Sequence, residues 1–128
     1  MKIIYTAFFV KNREDLLSKF IPKHKNIFAH HATIEWKPQT LNGIEVGREI
    51  RLKVLGKVTD DKGDALIVER DKIKKPYPHI TISCAEGVAP GYSEEMIEKA
   101  ITNNTMETFD QPVEISVIEG YFDGIDRY

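Results

Sequence analysis

Apolar residues recur with a period of two in some stretches and at helical spacing in others, and prolines, glycines and charge clusters separate these stretches. The apolar-rich opening, about Lys2 to Val10, predicts a first strand. Asn12, with Asp15 three positions on, starts a short helix whose apolar face is Leu16, Leu17, Phe20 and Ile21, and Pro22 stops it. A second strand, about Asn26 to Lys37, alternates so that His31, Thr33 and Glu35 share one side and His30, Ala32, Ile34 and Trp36 the other. On that reading His30 is a half-buried structural imidazole pointing away from His31. The polar loop from Pro38 to Gly47 is either a plain connection or a flap over the strand before it. Arg48 to Val58 and Ala65 to Glu69 predict a hairpin around the Asp60–Asp64 turn, with Ile50, Leu52 and Val54 opposed to Arg51 and Lys53. Pro76-Tyr77-Pro78 disfavours helix and leads into another extended segment, in which His79, Thr81 and Ser83 oppose Ile80, Ile82 and Cys84. A second helix begins near Ser93 and buries Met96, Ile97, Ala100 and Ile101, and a last strand covers about Pro112 to Glu119. The pattern is that of an α+β protein in two loosely similar halves, each with a helix, strands and one strand carrying a histidine and a threonine.

The length of 128 residues suits a single domain, residues 1–128, that buries enough surface to fold without disulfides. The lone Cys84 fits a reducing compartment, and the opening apolar run is too short to span a bilayer, so the expected location is cytoplasmic, with no membrane partner. A net charge of −2 excludes the broad positive field of a general duplex binder. Basic residues do precede both histidine strands, Lys23 and Lys25 before the first and Lys72, Lys74 and Lys75 before the second, as solvated loops or as a rim attracting phosphate.

The chemistry lies in a repeated four-residue pattern of histidine, apolar, threonine, apolar: His31-Ala32-Thr33-Ile34 and His79-Ile80-Thr81-Ile82. On a strand, residues i and i+2 share a face, so each copy sets an imidazole beside a hydroxyl and turns two apolar groups the other way. With this composition, two accidental copies among four histidines arise on the order of once in a thousand sequences. Two such strands facing one groove would bring two imidazoles and two hydroxyls to one small anion.

Paired motifs of this kind resemble the signature of the two-histidine (2H) phosphoesterase superfamily, and the likeness extends loosely to the Ile4–Val10 strand and the Pro78-His79 junction. The resemblance implies two pseudo-symmetric lobes of antiparallel sheet flanked by helices, with a central groove carrying both His-x-Thr strands. It implies hydrolysis of RNA 2',3'-cyclic phosphates, in RNA repair beside a ligase or kinase, or cleavage of 2',5'-linked or cyclic oligonucleotides. Only 48 positions separate His31 from His79, which favours the compact repair-type or viral branches over the bacterial LigT-type pattern.

Hydrolysing a cyclic phosphodiester needs a base for the attacking water and an acid for the departing ribose oxygen, and imidazoles near pKa 6.5 supply both. His31 and His79 are the candidates, with the roles unassigned, and Thr33 and Thr81 are placed to donate to the non-bridging oxygens. Glu35 and Ser83 flank the same faces, Tyr77 is the better-placed aromatic for stacking a base, and Arg51 and Lys53 reach phosphate if the hairpin's polar face lines the groove. The scheme requires no metal or other cofactor, and no HExxH or CxxC element is present. The expected partner is an RNA end, nucleotide or oligonucleotide, hydrolysed or, in a different class of function, only bound.

Overall fold

The computed structural model describes residues 2–128. Its elements are β1 (Tyr5–Val10), α1 (Arg13–Lys19), β2 (Asn26–Ile27), β3 (His31–Trp36), β4 (Glu49–Thr59), β5 (Gly63–Val68), β6 (His79–Cys84), α2 (Tyr92–Asn103) and β7 (Glu107–Phe122). The strands pair in the order β2-β6-β3-β1-β7-β4-β5, and β5 pairs back onto β6, so six of them close into an antiparallel barrel. Closure removes the free edges that an open sheet would expose. The expected antiparallel sheet with two helices is present, and β7, 16 residues long, bonds both β1 and β4 within the one barrel.

Alternation fills the barrel. Phe8, Ala32, Ile34, Leu52, Val54, Leu66, Val68, Ile80, Ile82, Ile115 and Val117 are buried together, and Leu16 of α1 and Ile73 join the same cluster. The Asn12 side chain accepts from the Asp15 amide at 3.0 Å, satisfying one free donor at the start of α1 as the sequence suggests. That helix is only seven residues long, and Ile21 lies beyond it, 70% exposed, instead of on its buried face. Helix α2 packs outside the barrel, with Met96, Ile97 and Ala100 against Val58 and Ala65, while Ile101 faces solvent. Cys84 is buried and unpaired, in accord with a core position.

The loop following Pro38 is tied down against the barrel through Gly43 and Glu45, as a connection and not a free flap. Glu119, fully buried on β7, accepts from the Arg48 Nε at 2.6 Å, the Lys72 Nζ at 2.7 Å and the Glu45 amide at 2.8 Å. These bonds hold the carboxyl below its ordinary pKa despite burial, and Lys72 also donates to the Gly43 carbonyl. No helix among the described residues is long and apolar enough to cross a membrane.

Candidate active site

The two motif strands are antiparallel neighbours, with Ala32 opposite Ile80 inside the barrel. Continuing that register one residue each way sets His31 beside Thr81 and Thr33 beside His79, all on the outer face. The two imidazoles are thus diagonal partners, whose Cβ atoms lie about 7–8 Å apart in such a pairing. A groove of about 420 Å³ runs over this face, and His31, Thr33, His79 and Thr81 all line it. Tyr5, Phe28, His30 and Trp36 also line it, as do Lys75, Pro90, Gly91 and Glu94, from the start of α2 and the segments before β6 and α2.

Each motif ends in an irregularity at the same place. Against β1, Ala7 pairs with Thr33 and Thr6 with Glu35, so Ile34 is the extra residue of a bulge. Against β5, Ala65 pairs with Thr81 and Asp64 with Ser83, so Ile82 is the extra residue there. Each bulge re-phases the strand, and this corrects three expectations. Ser83 turns inward, fully buried, where its hydroxyl donates to Asp64 and accepts from the His24 amide at 3.1 Å, so it does not reach the groove. Glu35 does not line the groove and is instead paired with Lys74 at 3.0 Å. Trp36, assigned to the core by simple alternation, is 54% exposed on the groove wall.

A third irregularity precedes His31. Phe28 and Ala29 donate to the Ile82 and Thr81 carbonyls, in register with the β2 to β6 pairing, and Ala29 then takes a φ of 62° before β3 resumes two residues out of step. The break turns His30 into the groove wall, against the expectation that it points away. Arg51 and Lys53 lie on β4, which pairs with β5 and β7 and not with either motif strand, and neither lines the groove. Tyr77 packs its ring against the α2 cluster, and only its backbone carbonyl serves the site.

That carbonyl fixes the state of His79. It can only accept, so the 2.6 Å contact makes Nδ1 the donor and leaves Nε2 of the neutral ring with a free lone pair. Burial pushes the His79 pKa down, opposed by the Tyr77 carbonyl and the Glu94 carboxylate and reinforced by Lys75. Lys75 and Glu94 are themselves an ion pair at 2.8 Å. His31 has no such support. Its Nδ1 is buried without a partner, its ring stacks on Tyr5 at 4.6 Å, and burial, with Arg127, His30 and His79 nearby, pushes its pKa down to about 4.

The hydroxyls differ too. Thr81 Oγ1 lies 2.8 Å from the Ser93 Oγ, and Ser93 is buried in the first turn of α2. Thr81 Oγ1 also donates to the Pro90 carbonyl at 3.4 Å, so if Ser93 donates to Thr81, the Thr81 proton can exchange that long bond for an acceptor in the groove. Sequence reading missed Ser93 and Arg127. Arg127 lies with its guanidinium 5.6 Å over the Phe9 ring and lowers the proton affinity of both His30 and His31. Ser93 lacks a motif. Arg127 reaches the site only because the last residues fold back, with Tyr121 and Tyr128 exchanging backbone hydrogen bonds at 3.0 and 2.8 Å.

Among the described residues, no group of three or more His, Cys, Asp or Glu side chains is arranged to hold a metal. The chain matches no protein-family model, and no curated protein matches it.

Proposed function

We propose that the protein is a metal-independent phosphodiester hydrolase of the two-histidine type, acting on 2',3'-cyclic phosphates of nucleotides or RNA ends. The observation that carries this reading is the meeting of His31, Thr33, His79 and Thr81 in one groove, on paired strands crossing at Ala32 and Ile80. About that crossing the two motifs are related by a local two-fold, down to the bulge at each final isoleucine, which supports reading the chain as two pseudo-symmetric halves.

The surroundings divide the roles. His31 has no group that favours its charged form, so it is neutral above about pH 4 and serves as the base for water. His79 can hold a second proton more readily, because the Tyr77 carbonyl and Glu94 both stabilise the imidazolium. The bound phosphate's negative charge adds to that support and lets His79 serve as the acid. Water loses a proton to His31 as its oxygen bonds to phosphorus. The bond from phosphorus to one ribose oxygen breaks, and that oxygen takes the proton from His79. Thr33 and Thr81 donate to the two non-bridging oxygens, where charge accumulates.

The test is a short RNA ending in a 2',3'-cyclic phosphate, incubated with the protein in EDTA and resolved by product. A monoester end from the wild type, lost in His79→Ala, supports the reading. Turnover only after adding zinc or manganese, or binding without turnover between pH 5 and 8, contradicts it. Hydrolysis of a 2',5'-linked or cyclic oligonucleotide alone would retain the catalytic scheme and replace the substrate.

A further inference from the structure

Resting on the proposed function, we infer that Trp36 is the platform for the nucleobase of the nucleotide whose phosphate lies between His31 and His79, so that the groove selects nucleoside cyclic phosphates over base-free ones.

Three rings lead from the open wall to the motif. Trp36 stacks on Tyr5 at 5.9 Å with 12° between planes, and Tyr5 stacks on His31 at 4.6 Å. Tyr5 is buried at 8% exposure, whereas Trp36 is 54% exposed, a large apolar surface kept in water beside the candidate catalytic groups. The bulge at Ile34 turns the ring outward; uninterrupted alternation would have put it inside the barrel. The two ring spacings keep Trp36 within two ring-to-ring steps of His31. Lys37 Nζ, 5.9 Å from the Trp36 centroid, is at the edge of cation–π range on a flexible stem that a base can displace. Among the other lining residues, Lys75 and Glu94 are paired with each other, and no other aromatic side chain of the lining is among the exposed large hydrophobics. A π-face recognises any base, and the larger overlap of a purine favours it over a pyrimidine.

Trp36 is the chain's single tryptophan, so its fluorescence reports the contact directly. The intact wild type and a His31→Ala/His79→Ala variant, which separates binding from turnover, are titrated with adenosine 2',3'-cyclic phosphate, cytidine 2',3'-cyclic phosphate and ribose 5-phosphate. Saturable quenching by both nucleotides, tighter for adenosine and absent for ribose 5-phosphate, is expected. Trp36→Ala raises the nucleotide Kd by calorimetry, and KM more than it lowers kcat, by about 5- to 150-fold, while Trp36→Phe recovers most of the loss. Nucleotides that bind without quenching, with the same Kd in Trp36→Ala, would overturn the platform while leaving the hydrolase standing. Quenching without any turnover in the wild type would do the reverse, and the absence of binding would overturn both.

Discussion

Acid should weaken this protein through His31 in a way that one substitution removes. The ring is neutral in the fold down to about pH 4, against about 6.5 in an unfolded chain. Below pH 6.5 the unfolded chain therefore takes up a proton that the folded chain refuses until near pH 4, so stability falls across that window and levels off beneath it. Each unit of displacement is worth about 1.36 kcal/mol, which makes the loss between neutrality and pH 4.5 about 2.5 kcal/mol, or about 2 after allowing for the open side of the groove. His31→Gln removes the titration and keeps a polar side chain of similar reach. Urea unfolding of both proteins at pH 7 and pH 4.5 then isolates it, since His79 and the carboxylates contribute to both. The wild type is expected to lose about 2 kcal/mol more than the variant over that interval. Parallel losses would show that His31 is not held neutral, and the assignment of the base would fall with it. Inorganic phosphate should raise the His31 pKa followed by NMR, because an anion in the groove favours the imidazolium.

Glu94→Gln removes a charge that raises the His79 pKa and leaves Lys75 unpaired, so the alkaline limb of kcat/KM against pH should move to lower pH; an unmoved limb would mean that His79 is not the acid. Gly120→Ala would place a Cβ 1.6 Å from the Tyr128 carbonyl oxygen, evicting the last residues with their two hydrogen bonds and the Tyr121–Tyr128 stack. The cost is about 2–3 kcal/mol, a fall in Tm of about 5–10 °C, and an unchanged Tm would contradict it. Ser93→Ala should lower kcat several-fold with Thr81 intact, and in Thr81→Val the same change should cost nothing further if Ser93 acts through Thr81.

Most of the elements were legible because each strand's alternation and each helix's spacing record which side faces the core. The cap at Asn12, the turn at Asp60–Gly63 and the burial of Ile80, Ile82 and Cys84 follow from local sequence. The closing of the barrel was not, because the β5 to β6 pairing depends on backbone bonds between segments whose patterns suit an open sheet equally well. Within the groove, the four motif residues sit where period-two reading puts them, up to the bulge in each strand. Beyond the bulges it fails for Glu35, Trp36 and Ser83, since an inserted residue re-phases the side chains next to it and leaves no mark in composition, although Cys84 stays buried. His30 was misplaced for a related reason, the left-handed turn at Ala29, where no glycine signals it. Arg51 and Lys53 reach phosphate only if the hairpin's polar face lines the groove, and alternation does not say which arc of a barrel a strand occupies.

The central claim is that two imidazoles act as one unit on a single phosphorus atom. The direct measurement is the single-turnover rate on a 2',3'-cyclic nucleotide for the wild type, His31→Ala, His79→Ala and the double variant. Each single change is expected to cost about 10²- to 10⁴-fold, and the double no more than a few-fold beyond the worse single. Either single variant turning over at the wild-type rate would contradict the account.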